Sequence, residues 1–87
     1  MDKNSFDQVL EKLKNINFDK YNLQDNVKLE FYKYYKQATL GDCNKERPWP
    51  VYYKDCSKWD AWKSVEGMSK EDAKNNYVDC YNSYLIK

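Results

Sequence analysis

Apolar and aromatic side chains recur at helical intervals in four separate stretches, with no strand signal anywhere, and this restricts the chain to an all-α bundle. Ser5-Phe6-Asp7-Gln8 has the form of a capping box, and Phe6, Val9, Leu10, Leu13 and Ile16 then share one side of a helix of about three turns. Residues 17 to 25 break the period, and Asp25 or a neighbour is placed to cap a second helix. From Val27 to about Leu40 two stripes can be drawn. Val27, Phe31, Tyr34 and Ala38 form one, and Lys28, Tyr32, Tyr35, Lys36 and Thr39 the other; one is a core face and the other is mixed.

Gly41 offers a cap, and both prolines fall in residues 41 to 54, which therefore read as a long loop. Long ordered loops are often functional. A third helix is expected from near Asp55 to Gly67, with Trp59, Trp62 and Val65 inward. Ser69-Lys70-Glu71-Asp72 resembles a second capping box with Asp in the usual Glu position. The last helix places Ala73, Tyr77, Cys80, Tyr81 and Tyr84 on one face. No repeat, low-complexity run or linker divides the chain.

Eighty-seven residues make one domain with a thin core, so bulk must come from the fifteen aromatics. Nine of these are tyrosines, whose hydroxyls want partners, which places some of them at the edge of a binding surface. The formal charge of +1 excludes the strong field of a general nucleic-acid or membrane-surface binder, so any basic site is local. Cys43, Cys56 and Cys80 lack metal-ligand spacing and cannot all pair, and they read as free thiols with no part in binding. The charged amino terminus has neither the apolar run of a signal peptide nor a span, so a reducing, cytoplasmic setting is expected. Without histidine, and with no nucleophile and base in view, the chain does not read as an enzyme.

Four separated blocks carry a resemblance. Residues 31 to 42, FYKYYKQATLGD, are similar to the pattern Y-x-x-[FY]-K-Q-A-T-x-G-D of acyl-CoA-binding proteins. Asn44 with Arg47-Pro48 fits N-x-x-R-P, Lys58-Trp59-Asp60-Ala61-Trp62 fits K-W-D-A-W, and residues 69 to 77 fit S-K-E-D-A-x-x-x-Y. Ser5-Phe6-Asp7 resembles the family's opening.

The resemblance implies that residues 1–87 form one acyl-CoA-binding domain, an up-down-down-up four-helix bundle holding its ligand in a bowl. It implies a non-catalytic carrier of medium- to long-chain fatty acyl-CoA esters such as palmitoyl-CoA or myristoyl-CoA. The carrier is expected to be a monomer that needs no cofactor or metal, inserts stably in no membrane, and delivers the ester to acyl-CoA-using enzymes. Ligand contacts fall on Tyr32, Tyr35, Lys36, Lys58 and Tyr77, with Lys54 and Lys14 as further basic contacts and Leu29 in the acyl groove. Tyr35 is the implied adenine-stacking residue. The residues also make physical sense: aromatic faces suit adenine, ammonium and hydroxyl groups suit phosphates, and Tyr32 and Lys36 lie one turn apart.

A buried methylene is worth up to ~0.8 kcal/mol, so a long chain adds roughly 10 kcal/mol before ordering costs. Tight binding therefore requires the whole ester, chain and phosphates together.

The chain departs from the family pattern at Leu23, Lys33 and Trp49, where a proline, a small residue and a glycine are usual, and its first inter-helix link is about three residues longer. Lys28 stands beside the acyl groove at an often apolar position, which predicts altered chain-length preference or an extra polar contact. The rival readings are a helical protein-interaction module that has lost the ligand and a single-strand nucleic-acid binder, the latter opposed by the near-zero charge.

Overall fold

The computed structural model describes residues 5–14 and 23–85. Helix α1 spans Phe6–Leu13 and opens on the expected capping box: Gln8 N donates to Ser5 Oγ at 3.2 Å, and Ser5 N donates to Gln8 Oε1 at 2.9 Å. Phe6 and Val9 are buried beneath it. Ile16, and the break between the first two helices up to residue 22, lie outside the described residues.

Helix α2 spans Asp25–Leu40 and starts two residues before Val27, with Gln24 as its cap. Of the expected cap, Asp25 or a neighbour, it is the neighbour Gln24 that holds the position, without a side-chain capping bond, while Asp25 sits in the first turn, where its charge faces the helix's positive end. Helix α3 runs from Tyr53 to Lys63 and α4 from Lys70 to Tyr84. The expected bounds of α3, Asp55 to Gly67, are shifted at both ends. Tyr52 N donates to Trp49 O at 2.9 Å in a turn that hands directly to the helix, whose first bond is Cys56 N to Tyr52 O at 2.9 Å. After Ser64 N, which still bonds to Asp60 O, the bonds run to the third residue back, as in Val65 N to Trp62 O and Met68 N to Val65 O, so residues 64–67 form tight turns. Gly67 ends them at φ 92°, a left-handed conformation that a side chain would strain.

Among the described residues all regular structure is helical, so the all-α expectation holds. Helix α2 packs against both α3 and α4, and α1 packs against α4. Phe6, Val9, Phe31, Ala38, Ala73 and Tyr77 are among the residues of the main apolar cluster. Its rings meet edge to face, Phe31 to Tyr77 at 5.4 Å and Phe6 to Tyr77 at 5.2 Å between centroids. Cys43, Trp62 and Val65 form a smaller cluster, and Tyr34 packs against both.

The loop from Gly41 to Tyr52 is bound down by side chains of the motif blocks. Trp62 Nε1 donates to Gly41 O and Trp59 Nε1 to Lys45 O, each at 2.8 Å. Arg47 makes a two-pronged bond to Asp60, Nε to Oδ1 at 3.0 Å and Nη2 to Oδ2 at 2.9 Å. Cys56 Sγ approaches the Pro48 and Trp49 carbonyls, both at 3.4 Å. The three cysteines are free and buried.

Candidate functional site

Helices α2, α3 and α4 leave two adjoining hollows on one side of α2. The first, about 370 Å³, is lined by Lys28, Phe31, Tyr32, Tyr35 and Tyr77. The second, about 510 Å³, is lined by Asp25, Lys28, Leu29, Tyr32, Tyr53, Lys54, Ser57 and Lys58. Lys28 and Tyr32 belong to both, and they lie four residues apart, one turn of α2. One hollow is almost wholly aromatic; the other carries three ammonium groups and one carboxylate.

Tyr32 is the pivot. The Lys36 and Lys58 ammonium groups each stand 5.7 Å from its ring centroid, one from its own helix and one from α3. Lys36 is also 5.4 Å from the Trp62 ring, so a buried indole of the scaffold steers the ammonium. Burial, with help from Cys43 and Asp55, pushes the Tyr32 hydroxyl above its ordinary value. Two cations and a phenol thus converge from two helices, an arrangement that favours a polyanion.

Tyr77 stands in the wall of the aromatic hollow, only 6% exposed. Burial first, then the neighbouring Tyr35 and Cys80, push its hydroxyl up to about 12. Tyr35, 6.2 Å from Tyr77 and 6.5 Å from Phe6 between centroids, remains 40% exposed. It is braced on one side by core rings and open on the other, the geometry a stacking ring needs.

Seven of the nine residues singled out from the sequence line these hollows: Lys28, Leu29, Tyr32, Tyr35, Lys54, Lys58 and Tyr77. Lys36 lies beside them against Tyr32. Lys14 is not brought to them; it caps the exposed end of α1 and pairs with Glu11 at 3.5 Å. Tyr53, Ser57 and Asp25 line the lysine-rich hollow and were not anticipated. Tyr53 and Ser57 fall one turn apart on α3 beside Lys54 and Lys58, a spacing that was obscured by reading residue 53 as loop.

The motif residues Gln37 and Asp42 do other work. Gln37 is fully buried, and its Nε2 donates to Asp42 Oδ1 and to Met68 O, both at 2.8 Å. Asp42 Oδ1 also accepts from Gly67 N at 2.8 Å, tying the end of α2 to the turn before α4. Among the described residues no group of three or more His, Cys, Asp or Glu is placed to hold a metal ion. No helix there is long and apolar enough to cross a membrane.

The family model described as Acyl CoA binding protein matches residues 3–81. Acyl-CoA-binding domain-containing protein 1 of Oryza sativa subsp. japonica is 46% identical over 73 residues, 84% of this chain and 77% of that protein. The acyl-CoA-binding protein of Dictyostelium discoideum is 40% identical over 83 residues, 95% of each chain. The crystal structure of ACBP from Moniliophthora perniciosa matches with a TM-score of 0.85 at 43% identity, covering 98% of this chain and 81% of that one.

Proposed function

The chain belongs to the acyl-CoA-binding protein family, and on that premise we propose that it reversibly binds medium- to long-chain fatty acyl-CoA esters and carries them without chemical change. The observation that carries this reading is the junction of an aromatic hollow with a lysine-rich one at Tyr32 and Lys28. The nucleotide suits the aromatic rings of one hollow with the ammonium groups at the junction, and the long apolar chain suits Leu29 and the lysine stems of the other.

Tyr35 stacks on the adenine, while Tyr32, Lys36, Lys58 and the Tyr77 hydroxyl hold the phosphates. The acyl chain lies along Leu29 and the apolar stems of Lys28, Lys54 and Lys58, covered by the folded headgroup. Lys54 contacts the ester region. Lys14, on its exposed helix end, contributes at most long-range attraction. Residues 1–87 act as one binding domain, working as a monomer in the cytoplasm and handing the ester to acyl-CoA-using enzymes, with palmitoyl-CoA or myristoyl-CoA as representative cargo.

The mechanism is sequestration. Neither half of the ester binds tightly alone, because one lacks the chain's apolar area and the other lacks the phosphates. Bound ester is withheld from water and from its own detergent action, then released intact. Native mass spectrometry with palmitoyl-CoA tests this reading: one intact ester per chain, with no free thiol released on incubation, is expected. Thiol release, or no complex, would overturn it.

A further inference from the structure

We propose that the loop tip from Trp49 to Tyr53 is a docking surface for the anionic face of a lipid bilayer, where the carrier exchanges its ester. The inference deepens the carrier reading and rests on it for its purpose. It rests on different residues for its evidence.

Within five residues the chain exposes Trp49 at 77%, Val51 at 76%, Tyr52 at 58% and Tyr53 at 70%. Single exposed apolar residues are ordinary, but a contiguous set marks an interaction surface. The tip is also built, not slack. Pro48 and Pro50 stiffen it, Tyr52 N bonds to Trp49 O at 2.9 Å, and buried Cys56 holds the Pro48 and Trp49 carbonyls from below. Held this way, the rings and the valine face water with little ordering left to lose on contact.

The chemistry of the patch selects its occupant. Tryptophan and tyrosine pair an apolar body with a polar edge and settle at the headgroup level of bilayers. At the foot of the loop the lysine-rich hollow presents Lys28, Lys54 and Lys58 against one lining carboxylate, Asp25, a local excess that suits anionic headgroups. Glu46 and Asp55 are the other acids of this stretch, and Asp60 is engaged by Arg47. Tyr53 belongs both to the exposed patch and to the lining of the lysine-rich hollow, so a docked tip brings that hollow, where the acyl chain is proposed to lie, to the membrane. Side chains this exposed form a protruding tip, which fits a soft planar surface better than a groove-seeking helix or peptide.

The test is co-sedimentation of the full chain with phosphatidylcholine vesicles, with and without phosphatidylserine, beside Trp49→Ser/Val51→Ser. Leu40→Ser, at an exposed site on α2 outside the tip, controls for general loss of apolar surface. Binding to the anionic vesicles with a blue shift of tryptophan emission is expected, weakening with salt. The double variant should partition roughly tenfold more weakly, with unchanged palmitoyl-CoA affinity in solution, while Leu40→Ser behaves as the parent. Equal partition of parent and double variant, or no partition at all, overturns the proposal; so does equal binding to neutral and anionic vesicles at low salt. Failure on vesicles with intact ester binding removes the docking surface alone, whereas vesicle binding without ester affinity removes the carrier reading alone.

Discussion

The fully buried amide of Gln37 donates to Asp42 Oδ1 at 2.8 Å, and the same oxygen accepts the Gly67 backbone N–H at 2.8 Å. Two residues of the strongest sequence block thus hold the bundle's joints together instead of touching the site. Gln37→Ala should destabilise the fold by about 1–3 kcal/mol, because it empties a fully buried site and removes both bonds of the amide, to Asp42 and to the half-buried Met68 carbonyl. Chemical denaturation measures this, and the ester affinity of the folded fraction should stay unchanged.

The Gly67 N–H first, then the Gln37 amide, hold the Asp42 carboxyl below its ordinary value of 3.8. A lowered folded-state value means stability that is present above pH 3.8 and lost as the pH falls through the lowered value. Asp60, held down by Arg47, acts in the same direction. Asp42→Asn should therefore flatten the acid limb of an unfolding profile relative to the parent.

At the alkaline end the sign reverses. Burial, as the largest cause, raises the Tyr77 hydroxyl from 10.0 to about 12 and the Cys80 thiol from 9.0 to about 12. Folded-state values that are raised contribute stability below the unfolded values, and that contribution is lost as the pH climbs through pH 9–12. Tyr77→Phe should flatten the upper part of this decline while keeping the ring's packing, whereas Tyr77→Ala should cost about 3–5 kcal/mol at any pH. Unfolding midpoints measured from pH 8 to 12 separate the two.

Lys36 and Lys58 flank the Tyr32 ring at 5.7 Å each and are supplied by different helices. Lys36→Ala and Lys58→Ala should each weaken palmitoyl-CoA binding by roughly 10- to 100-fold, and the double variant should lose most of the salt dependence. Lys14→Ala should change affinity less than about threefold, since its ammonium is turned to solvent and to Glu11. Titrations at two salt concentrations check both.

Lys28 lines both hollows. Lys28→Met, which exchanges an ammonium for a thioether of similar length, should shift the ranking of acyl chains toward longer ones. An unchanged ranking across a series of chain lengths would show that Lys28 has no part in selectivity.

The helices were legible wherever a local signal existed. The Ser5 and Gln8 box, the Gly41 end of α2 and the buried face of Ala73, Tyr77, Cys80 and Tyr81 follow from spacing and capping chemistry. The ends of α3 were not, because they depend on distant partners: Asp42 takes the Gly67 N–H, and Cys56 reaches back to the Pro48 and Trp49 carbonyls. Individual lining residues such as Lys28 and Tyr32 were legible from one helix face, but their meeting with Tyr53 and Ser57 depends on how α3 lies against α2. That Trp49 lies in a loop was legible from its two flanking prolines, but how far the side chains from Trp49 to Tyr53 stand in solvent was not, because it depends on how Cys56 holds the Pro48 and Trp49 carbonyls.

In the proposed carrier the paired hollows recognise the whole ester, not either half. Calorimetric titration with palmitoyl-CoA, beside coenzyme A and palmitate, tests it most directly. Tight one-to-one binding of the ester is expected, with each half weaker by orders of magnitude; equal affinity for coenzyme A and its ester, or no binding of the ester, would refute recognition of the whole ester.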